Sequence, residues 1–220
     1  LAKSYDCGNI IILADGGSVY RKNLYPEYKA NRKLKYKDQT EAEKKEFEVF
    51  MAEFANAFKR LSDKGYLVLK HSGLEADDLA AWIVGKRKSF DIGNIWLISS
   101  DKDWDLLIQD GVSRFSTVTR KEITVDNWDE HYNFEPEYFL TFKCLAGDTG
   151  DNIPGISGIG PKRATQLIEQ YGDLYDIYNS CPIDSKYKHI QSLNENVDRL
   201  LLNAELMDLE SYSDKLAMKQ

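Results

Sequence analysis

The sequence predicts an α/β fold, with a mainly parallel central sheet flanked by helices and an α-helical C-terminal lobe. Three apolar runs that end in acidic or turn residues indicate buried strands, over residues 10–14, 66–69 and 95–98. Helical periodicity occupies the two intervals between them, over residues 39–64 and 75–85. Because strands alternate with helices, we expect a parallel sheet with helices on both faces.

The pattern becomes helical in the C-terminal third of the chain. Helices are predicted over residues 136–145, 161–171 and 196–206, and no further strand is expected. We therefore expect an α/β core over residues 1–135 and a helical lobe over residues 136–220. Residues 1–5 are typical of the last turn of a helix that leads into the first strand, so the beginning of the core is expected to be missing.

Composition excludes several classes of protein. With 42% hydrophobic residues and no run of eighteen apolar residues, the chain has material for a core but none for a membrane span. Its three cysteines lack metal-type spacing, which indicates a reducing compartment, and we expect the cytoplasm. The net charge of −7 disfavours a polyanionic partner, but seven cations against one acid lie within residues 21–37. Charge segregated in this way predicts a basic contact surface beside an acidic pocket.

Acidic residues follow the predicted strands at their carboxyl ends. Asp15, Glu75 and Asp101 lie at or just after such ends, which meet at one edge of an open α/β sheet. Five further acids accompany them in short motifs: Asp77, Asp78, Asp103, Asp148 and Asp151. Crowded carboxylates repel one another, so cations are needed near neutral pH, and hard oxygen ligands favour Mg²⁺ or Mn²⁺. Two such ions suit in-line phosphodiester hydrolysis, which predicts a nucleic-acid substrate.

Each acidic motif also has a purely structural interpretation. Ser72 and Glu75 have the spacing of a capping box, and Asp101 can be a helix N-cap. Asp15 can belong to a simple turn with Gly16. The joint placement of these motifs at strand ends favours the metal centre.

A glycine-rich turn, residues 155–163, leads into a predicted helix with Gly160 at the N-cap and Pro161 at the first helical position. Glycines allow backbone N–H groups to approach a phosphate closely, and neighbouring cations add charge without reading any base. The turn resembles a helix-hairpin-helix element, and the alternative is a packed turn between helices. The residues expected to contact DNA here are Gly155, Gly158, Gly160, Lys162 and Arg163.

The stretch before the long predicted helix combines aromatic and basic side chains. Tyr28 can stack on an unpaired base. Lys29 and Arg32 are three residues apart, so on a helix they would face a phosphate together and stabilise charge in the transition state. The basic run continues through Lys33 and Lys35, for which DNA contact is expected. A solvated basic helix with Tyr28 packed on the core is the alternative.

Four motifs follow one another along the chain: YPEYKANR at residues 25–32, GLEADD at 73–78, SSDKDWD at 99–105, and GDTGDNIPG at 147–155 with GIG at 158–160. On these motifs the chain resembles the flap endonuclease and phage-type 5′-3′ exonuclease family, which includes the 5′-exonuclease domain of bacterial DNA polymerase I. The resemblance covers nearly the whole chain. It implies a structure-specific, metal-dependent nuclease that acts on DNA at 5′ flaps and ends, RNA-primed ends included, in replication and repair.

The resemblance also implies roles for residues and partners. The eight acids named above fall on the family's ligand positions for two Mg²⁺ or Mn²⁺ ions, and Lys29 and Arg32 fall on positions that contact the scissile phosphate. An arch is expected at about residues 22–60. A helix-hairpin-helix-like element at about residues 147–171 is expected to hold duplex DNA together with a K⁺ ion. The implied protein is a monomer that binds branched or 5′-ended DNA, in the host cytoplasm if phage-encoded.

One departure from the family pattern leaves alternatives open. Family members begin with a strand whose aspartate joins the metal cluster, and this sequence contains no such strand. The chain can therefore be a catalytically impaired, DNA-junction-binding fragment of such a nuclease. A phosphohydrolase acting on small phosphate esters has only residues 101–103 in its favour.

Overall fold

The computed structural model describes residues 1–32 and 39–210. The chain forms two compact units, Leu1–Leu79 and Ala80–Gln220. The domain boundary expected at residue 135 stays a prediction. Among the described residues, no helix has the length and apolar character needed to cross a membrane. All three cysteines are free thiols.

The Leu1–Leu79 unit contains a parallel pair of strands. Strand β1 (Ile11–Ala14) runs alongside β2 (Leu67–Lys70), with Ile11 opposite Leu67 and Ala14 opposite Lys70. Helix α1 (Val19–Leu24) follows β1, and helix α3 (Ala76–Gly85) follows β2. Both predicted strands are confirmed to within a residue at each end, because the apolar runs are bounded by residues that favour turns.

Helix α2 (Glu41–Asp63) confirms the long predicted helix between the two strands. Thr40 and Glu43 form a capping box, in which each side chain accepts a hydrogen bond from the backbone N–H of the other residue. The Phe50 and Phe54 rings stack along one face, with centroids 5.7 Å apart. No residue of this helix, which is described throughout, is buried. The apolar stripe that the periodicity predicts is therefore half-buried or exposed in the structure.

The Ala80–Gln220 unit holds a three-stranded sheet. Strand β3 (Ile95–Ile98) is parallel to β4 (Val112–Phe115), and β5 (Glu122–Ile123) is antiparallel to β4. Only β3 was predicted. Strand β4 is short and contains Arg114, which is buried although it is charged, so its sequence lacks the apolar run that marks a strand.

The α-helices that follow the sheet of this unit begin after a single turn of 3₁₀ helix at Pro136–Tyr138. They are α4 (Phe139–Ala146), α5 (Pro161–Tyr171), α6 (Leu174–Ser180), α7 (Lys188–Glu195) and α8 (Asp198–Met207). The three helices predicted here are confirmed, whereas α6 and α7 were not predicted. Their core includes the fully buried side chains of Leu145, Leu193 and Leu200.

The expectation that the C-terminal third of the chain contains no strand is wrong. Strand β6 (Gly147–Asp148) pairs antiparallel with β7 (Ile153–Pro154) and forms a hairpin between α4 and α5. Gly147 has a φ of +76°, and a Cβ atom there would collide with the backbone N of Gly155. Close backbone approach, which hydrophobic periodicity does not report, therefore builds this hairpin.

Candidate metal centre and nucleic-acid interface

Two loops at the carboxyl ends of β1 and β2 are joined by backbone hydrogen bonds. The Gly16 N–H donates to the carbonyl of Leu74 at 2.8 Å, and the Gly73 N–H donates to the carbonyl of Gly16 at 3.2 Å. A Cβ atom on Gly16 would collide with the backbone carbonyl of His71, so the approach requires glycine. The N–H of Ala76 donates to Asp15 Oδ1 at 2.7 Å, which places this carboxylate at the start of α3.

The start of α3 carries a cluster of three carboxylates, here called the Glu75 cluster. Glu75, Asp77 and Asp78 each offer an oxygen atom, and these atoms lie within 4.8 Å of one another. Burial, followed by repulsion from Asp78 and Glu75, raises the pKa of Asp77 to about 7. Arg21 and Lys29 lower this pKa but do not cancel the effects of burial and of the neighbouring carboxylates. The oxygen donors of the cluster therefore fit a hard divalent ion.

Arg21, a buried residue on α1, neutralises part of this negative charge through ion pairs. Its guanidinium donates to Asp78 through two hydrogen bonds, to Oδ1 at 2.7 Å and to Oδ2 at 3.0 Å, and to Glu75 Oε2 at 3.3 Å. Arg21 is 2% exposed and Asp78 1%. Both Asp78 oxygens are thus engaged by protein, and its role as a metal ligand stays a prediction. In the sequence Arg21 is recognisable only as part of a basic run, so this ion pair was not predicted.

Tyr28 and Lys29 also converge on the Glu75 cluster. The Tyr28 hydroxyl donates to Glu75 Oε2 at 2.6 Å, and the Lys29 ammonium forms an ion pair with Glu75 Oε1. Burial opposes ionisation of Glu75, but the charge of Lys29 and these hydrogen bonds outweigh it and lower the pKa of Glu75. Tyr28 is 4% exposed, as in the alternative of a core-packed tyrosine, and its stacking on DNA stays a prediction.

Of the remaining site residues of the basic stretch, the structure describes one. Arg32 is exposed. Lys33 and Lys35 lie outside the described residues. The predicted phosphate contacts of Lys29 and Arg32 remain predictions.

A second group of acids lies in the Ala80–Gln220 unit. Asp101 caps a 3₁₀ helix (Lys102–Leu107) and accepts a hydrogen bond from the Asp103 N–H at 3.0 Å, so the alternative of a helix cap is realised. Lys143, on α4, forms ion pairs with Asp103 and with Asp148, the latter at 3.1 Å. Asp148 Oδ1 also accepts from the Asp151 N–H at 3.0 Å. The loop after β3 and the β6–β7 hairpin thus present their carboxylates to one lysine.

Electrostatic interactions in this second group are strong because the groups are largely buried. Burial raises the pKa of Asp103 despite the nearby Lys143 ammonium. The pKa of Lys143 is itself raised, since attraction by the two carboxylates exceeds the opposing effect of burial. Lys143 was not predicted as a site residue. Its position as a lone lysine in the apolar stretch LTFKCLA is a usable signal, because a buried charge needs a partner.

The glycine-rich turn has the backbone geometry that its sequence predicts. Gly160 is the N-cap of α5, and Pro161 is its first residue. Gly158 has a φ of +78°, and its carbonyl accepts a hydrogen bond from Arg163 Nη1 at 2.6 Å. A Cβ atom on Gly155 would collide with the backbone of residue 146. Lys162 and Arg163 are exposed, and contact with DNA by residues of this turn stays a prediction.

Comparison with known proteins places the chain in a family. A model of the 5′-3′ exonuclease N-terminal resolvase-like domain matches residues 1–133, and one of the 5′-3′ exonuclease C-terminal SAM fold matches residues 134–217. The chain belongs to the 5′-3′ exonuclease family. Within this family, the flap endonuclease of Escherichia phage T5 is 43% identical over 214 residues, which are 96% of this chain and 73% of that protein.

Solved structures of the phage T5 enzyme have the same fold. The T5 5′-exonuclease with bound zinc matches 96% of this chain and 78% of its own at 42% identity, with a TM-score of 0.90. A T5 flap endonuclease variant in a complex with DNA and metal ions matches with a TM-score of 0.90 at 41% identity. The family, the fold class and the enzyme class predicted from the sequence, a metal-dependent nuclease, are confirmed.

Proposed function

We propose that this chain hydrolyses DNA phosphodiester bonds at 5′ flaps and 5′ ends with the help of two divalent metal ions. The observation that carries the proposal is the Glu75 cluster, three convergent carboxylates among which Asp77 has a pKa of about 7. Convergent carboxylates that repel one another favour a bound divalent cation. Similarity to a flap endonuclease that has been solved with DNA and metal ions supports a branched DNA substrate.

The Glu75 cluster and Asp15 hold one ion in this proposal. A divalent ion supplies Lewis-acid activation of water and stabilises charge on the phosphate oxygens. Lys29 keeps Glu75 ionised in the described structure, and its ammonium would supply positive charge to the phosphate when Glu75 holds an ion. Arg32, three residues further on, supplies a second cation to the same phosphate.

The acids of the Ala80–Gln220 unit hold the other ion. Asp101, Asp103, Asp148 and Asp151 would provide its oxygen ligands, with Lys143 beside them as a neighbouring positive charge. The ion pairs of Lys143 with Asp103 and Asp148 support this assignment, because a cation already lies between those two residues. Mg²⁺ is the expected metal because all of the donors are oxygen atoms.

The glycine-rich turn holds the duplex in this proposal, with Gly155, Gly158 and Gly160 exposing backbone N–H groups and Lys162 and Arg163 supplying charge. A K⁺ ion at this turn, action on RNA-primed ends, a monomeric state and a cytoplasmic location complete the proposal. Tyr28 contributes by fixing Glu75, to which its hydroxyl donates.

The test is cleavage of a duplex that carries a labelled 5′ flap, with Mg²⁺ or with EDTA. Asp101→Asn is the informative variant, because asparagine preserves the helix cap while removing the charge. We expect the cleavage rate to fall on the order of 100-fold. Asp126→Asn, at an exposed aspartate in the same unit, is the control and is expected to cleave at the wild-type rate.

Two results would count against the proposal. One is cleavage that survives EDTA, because it would exclude a metal-assisted reaction. The other is tight binding of the flap with no cleavage under Mg²⁺ or Mn²⁺, which would identify a DNA-junction-binding chain.

A further inference from the structure

A buried polar network lies behind the acidic loop, which we define as residues 99–105. Arg114, on β4, donates to both carboxylate oxygens of Asp105, through Nε to Oδ1 at 2.5 Å and through Nη2 to Oδ2 at 2.9 Å. Tyr132 donates its hydroxyl to Asp105 Oδ2 at 2.6 Å. The side chain of Arg114 is 3% exposed and that of Asp105 0%. The Arg114–Asp105 ion pair is therefore shielded from solvent.

The guanidinium of Arg114 joins the two ends of the acidic loop. Its third nitrogen, Nη1, donates to the backbone carbonyl of Ser99 at 2.9 Å, where the loop leaves β3. Asp105 belongs to the 3₁₀ helix at the other end of the loop. Asp101 and Asp103 lie between these two attachment points. One rigid, planar group thus fixes both ends of the segment that presents two predicted metal ligands.

Hydrogen bonds inside the loop carry this constraint to Asp101. The Asp101 N–H donates to Ser99 Oγ at 3.1 Å, so the residue held by Arg114 is bonded directly to the ligand. Asp101 in turn accepts the N–H of Asp103. Ser99, which Arg114 holds through its carbonyl, is therefore linked to Asp101 by one hydrogen bond and through Asp101 to Asp103 by a second.

Stability alone does not account for a buried ion pair. Desolvation of two charges offsets much of their attraction, and apolar side chains of similar volume are often as stabilising in such a place. Groups that orient metal ligands from behind, in contrast, commonly set metal affinity. The guanidinium of Arg114 donates to a backbone carbonyl and to a carboxylate at once, as expected of a group that orients metal ligands.

We propose that Arg114 is a positioning residue, which holds both ends of the acidic loop so that Asp101 and Asp103 are preorganised for a divalent ion. Asp105 orients the guanidinium. Tyr132 contacts Asp105 but makes no bond to Ser99 among the hydrogen bonds described. The proposal rests on the proposed function in one respect, namely that Asp101 and Asp103 bind the metal.

The experiment measures Mn²⁺ binding to the whole chain by calorimetry, without DNA, alongside thermal unfolding. Arg114→Lys keeps a positive charge beside Asp105 but cannot reach both ends of the loop. A double variant, Arg114→Met with Asp105→Leu, removes both charges together and avoids a lone buried carboxylate. We expect the affinity for the ion at Asp101 to fall about 10- to 100-fold in both.

Tyr132→Phe is the matched control, because it removes one hydrogen bond to Asp105 and leaves the Arg114 fork in place. Its Mn²⁺ affinity is expected to stay within about twofold of wild type, given that a single outer bond is lost. Affinities in both Arg114 variants within that same range would overturn the proposal. So would loss of the cooperative unfolding transition in both, since it would assign Arg114 to folding and not to metal geometry.

The Asp101→Asn chain separates this proposal from the proposed function. If Asp101→Asn leaves Mn²⁺ binding unchanged, the assignment of the ligands is wrong, and the proposed function fails first. If Asp101→Asn weakens Mn²⁺ binding and Arg114→Lys does not, only the positioning role fails.

Discussion

Ionisation of Asp77 should make metal binding depend on pH near neutrality. Its pKa of about 7 results first from burial and then from the neighbouring carboxylates of Asp78 and Glu75. The ligand form is the carboxylate, so below this pKa an incoming ion must displace a proton. The apparent affinity of the Glu75 cluster for Mn²⁺ should therefore fall about tenfold between about pH 8 and about pH 6, and change little at higher pH.

The raised pKa of Asp77 affects the stability of the metal-free chain in the opposite direction: metal affinity rises with pH, whereas the free energy of unfolding falls. Because the folded-state pKa is raised above its ordinary value of 3.8, the folded chain binds more protons than the unfolded chain between pH 3.8 and about 7. Asp77 therefore stabilises the folded chain fully below pH 3.8, and this stabilisation is lost as the pH rises to about 7. The loss in the free energy of unfolding is at most about 4 kcal/mol. Metal-free chain should thus melt at a lower temperature as the pH approaches neutrality, and divalent ions should restore it.

Calorimetric titration with Mn²⁺ in buffers of different ionisation enthalpy measures both affinity and proton release. We expect close to one proton released per ion at about pH 6 and almost none at about pH 8. Asp77→Asn should abolish this proton release, whereas Asp126→Asn, at an exposed site, should preserve it. An affinity that is constant across this range, with no proton released, would refute the reasoning about Asp77.

Two further predictions concern stability and are measured by denaturant unfolding of the metal-free chain. Arg21→Ala leaves the carboxylate of Asp78 buried without its arginine partner, and should lower the free energy of unfolding by about 3–5 kcal/mol. Lys22→Ala, at an exposed position on the same helix, should change it by less than about 0.5 kcal/mol. Asn203→Ala removes two hydrogen bonds that a fully buried side chain donates to the backbone carbonyls of Cys144 and Pro154, and should lower the free energy of unfolding by about 2–4 kcal/mol. Asn196→Ala removes one exposed hydrogen bond and should have a small effect. If a variant and its control lower the free energy of unfolding equally, the stabilising role given to Arg21 or to Asn203 is wrong.

The parts of the fold that the sequence predicted well depend on local patterns. Apolar runs ended by turn residues located β1, β2 and β3, and the Gly160–Pro161 pair located the first residue of α5. These features are set by neighbours along the chain, which a sequence displays directly. The acids of the Glu75 cluster were also predictable, because they share one helix turn.

The parts that were not predicted depend on pairs of residues far apart in sequence. Arg21 meets Asp78, and Lys143 meets Asp103, across intervals of 57 and 40 positions that no periodicity spans. Arg114 made β4 look polar, because a buried arginine can be recognised only once its partners are known. Of these cations, only Arg21 was counted in the basic run of residues 21–37, where it was expected on a contact surface, because charged residues are exposed in most proteins unless they are paired.

Polarity of cleavage tests the central claim most directly. Two duplexes of the same sequence, one with a labelled 5′ flap and one with a labelled 3′ flap, are incubated together with the chain and Mg²⁺. The account predicts cutting of the 5′ flap near its junction, with the 3′ flap intact and both intact in EDTA. Cutting of both flaps at similar rates, or of the 3′ flap alone, would contradict a 5′ nuclease.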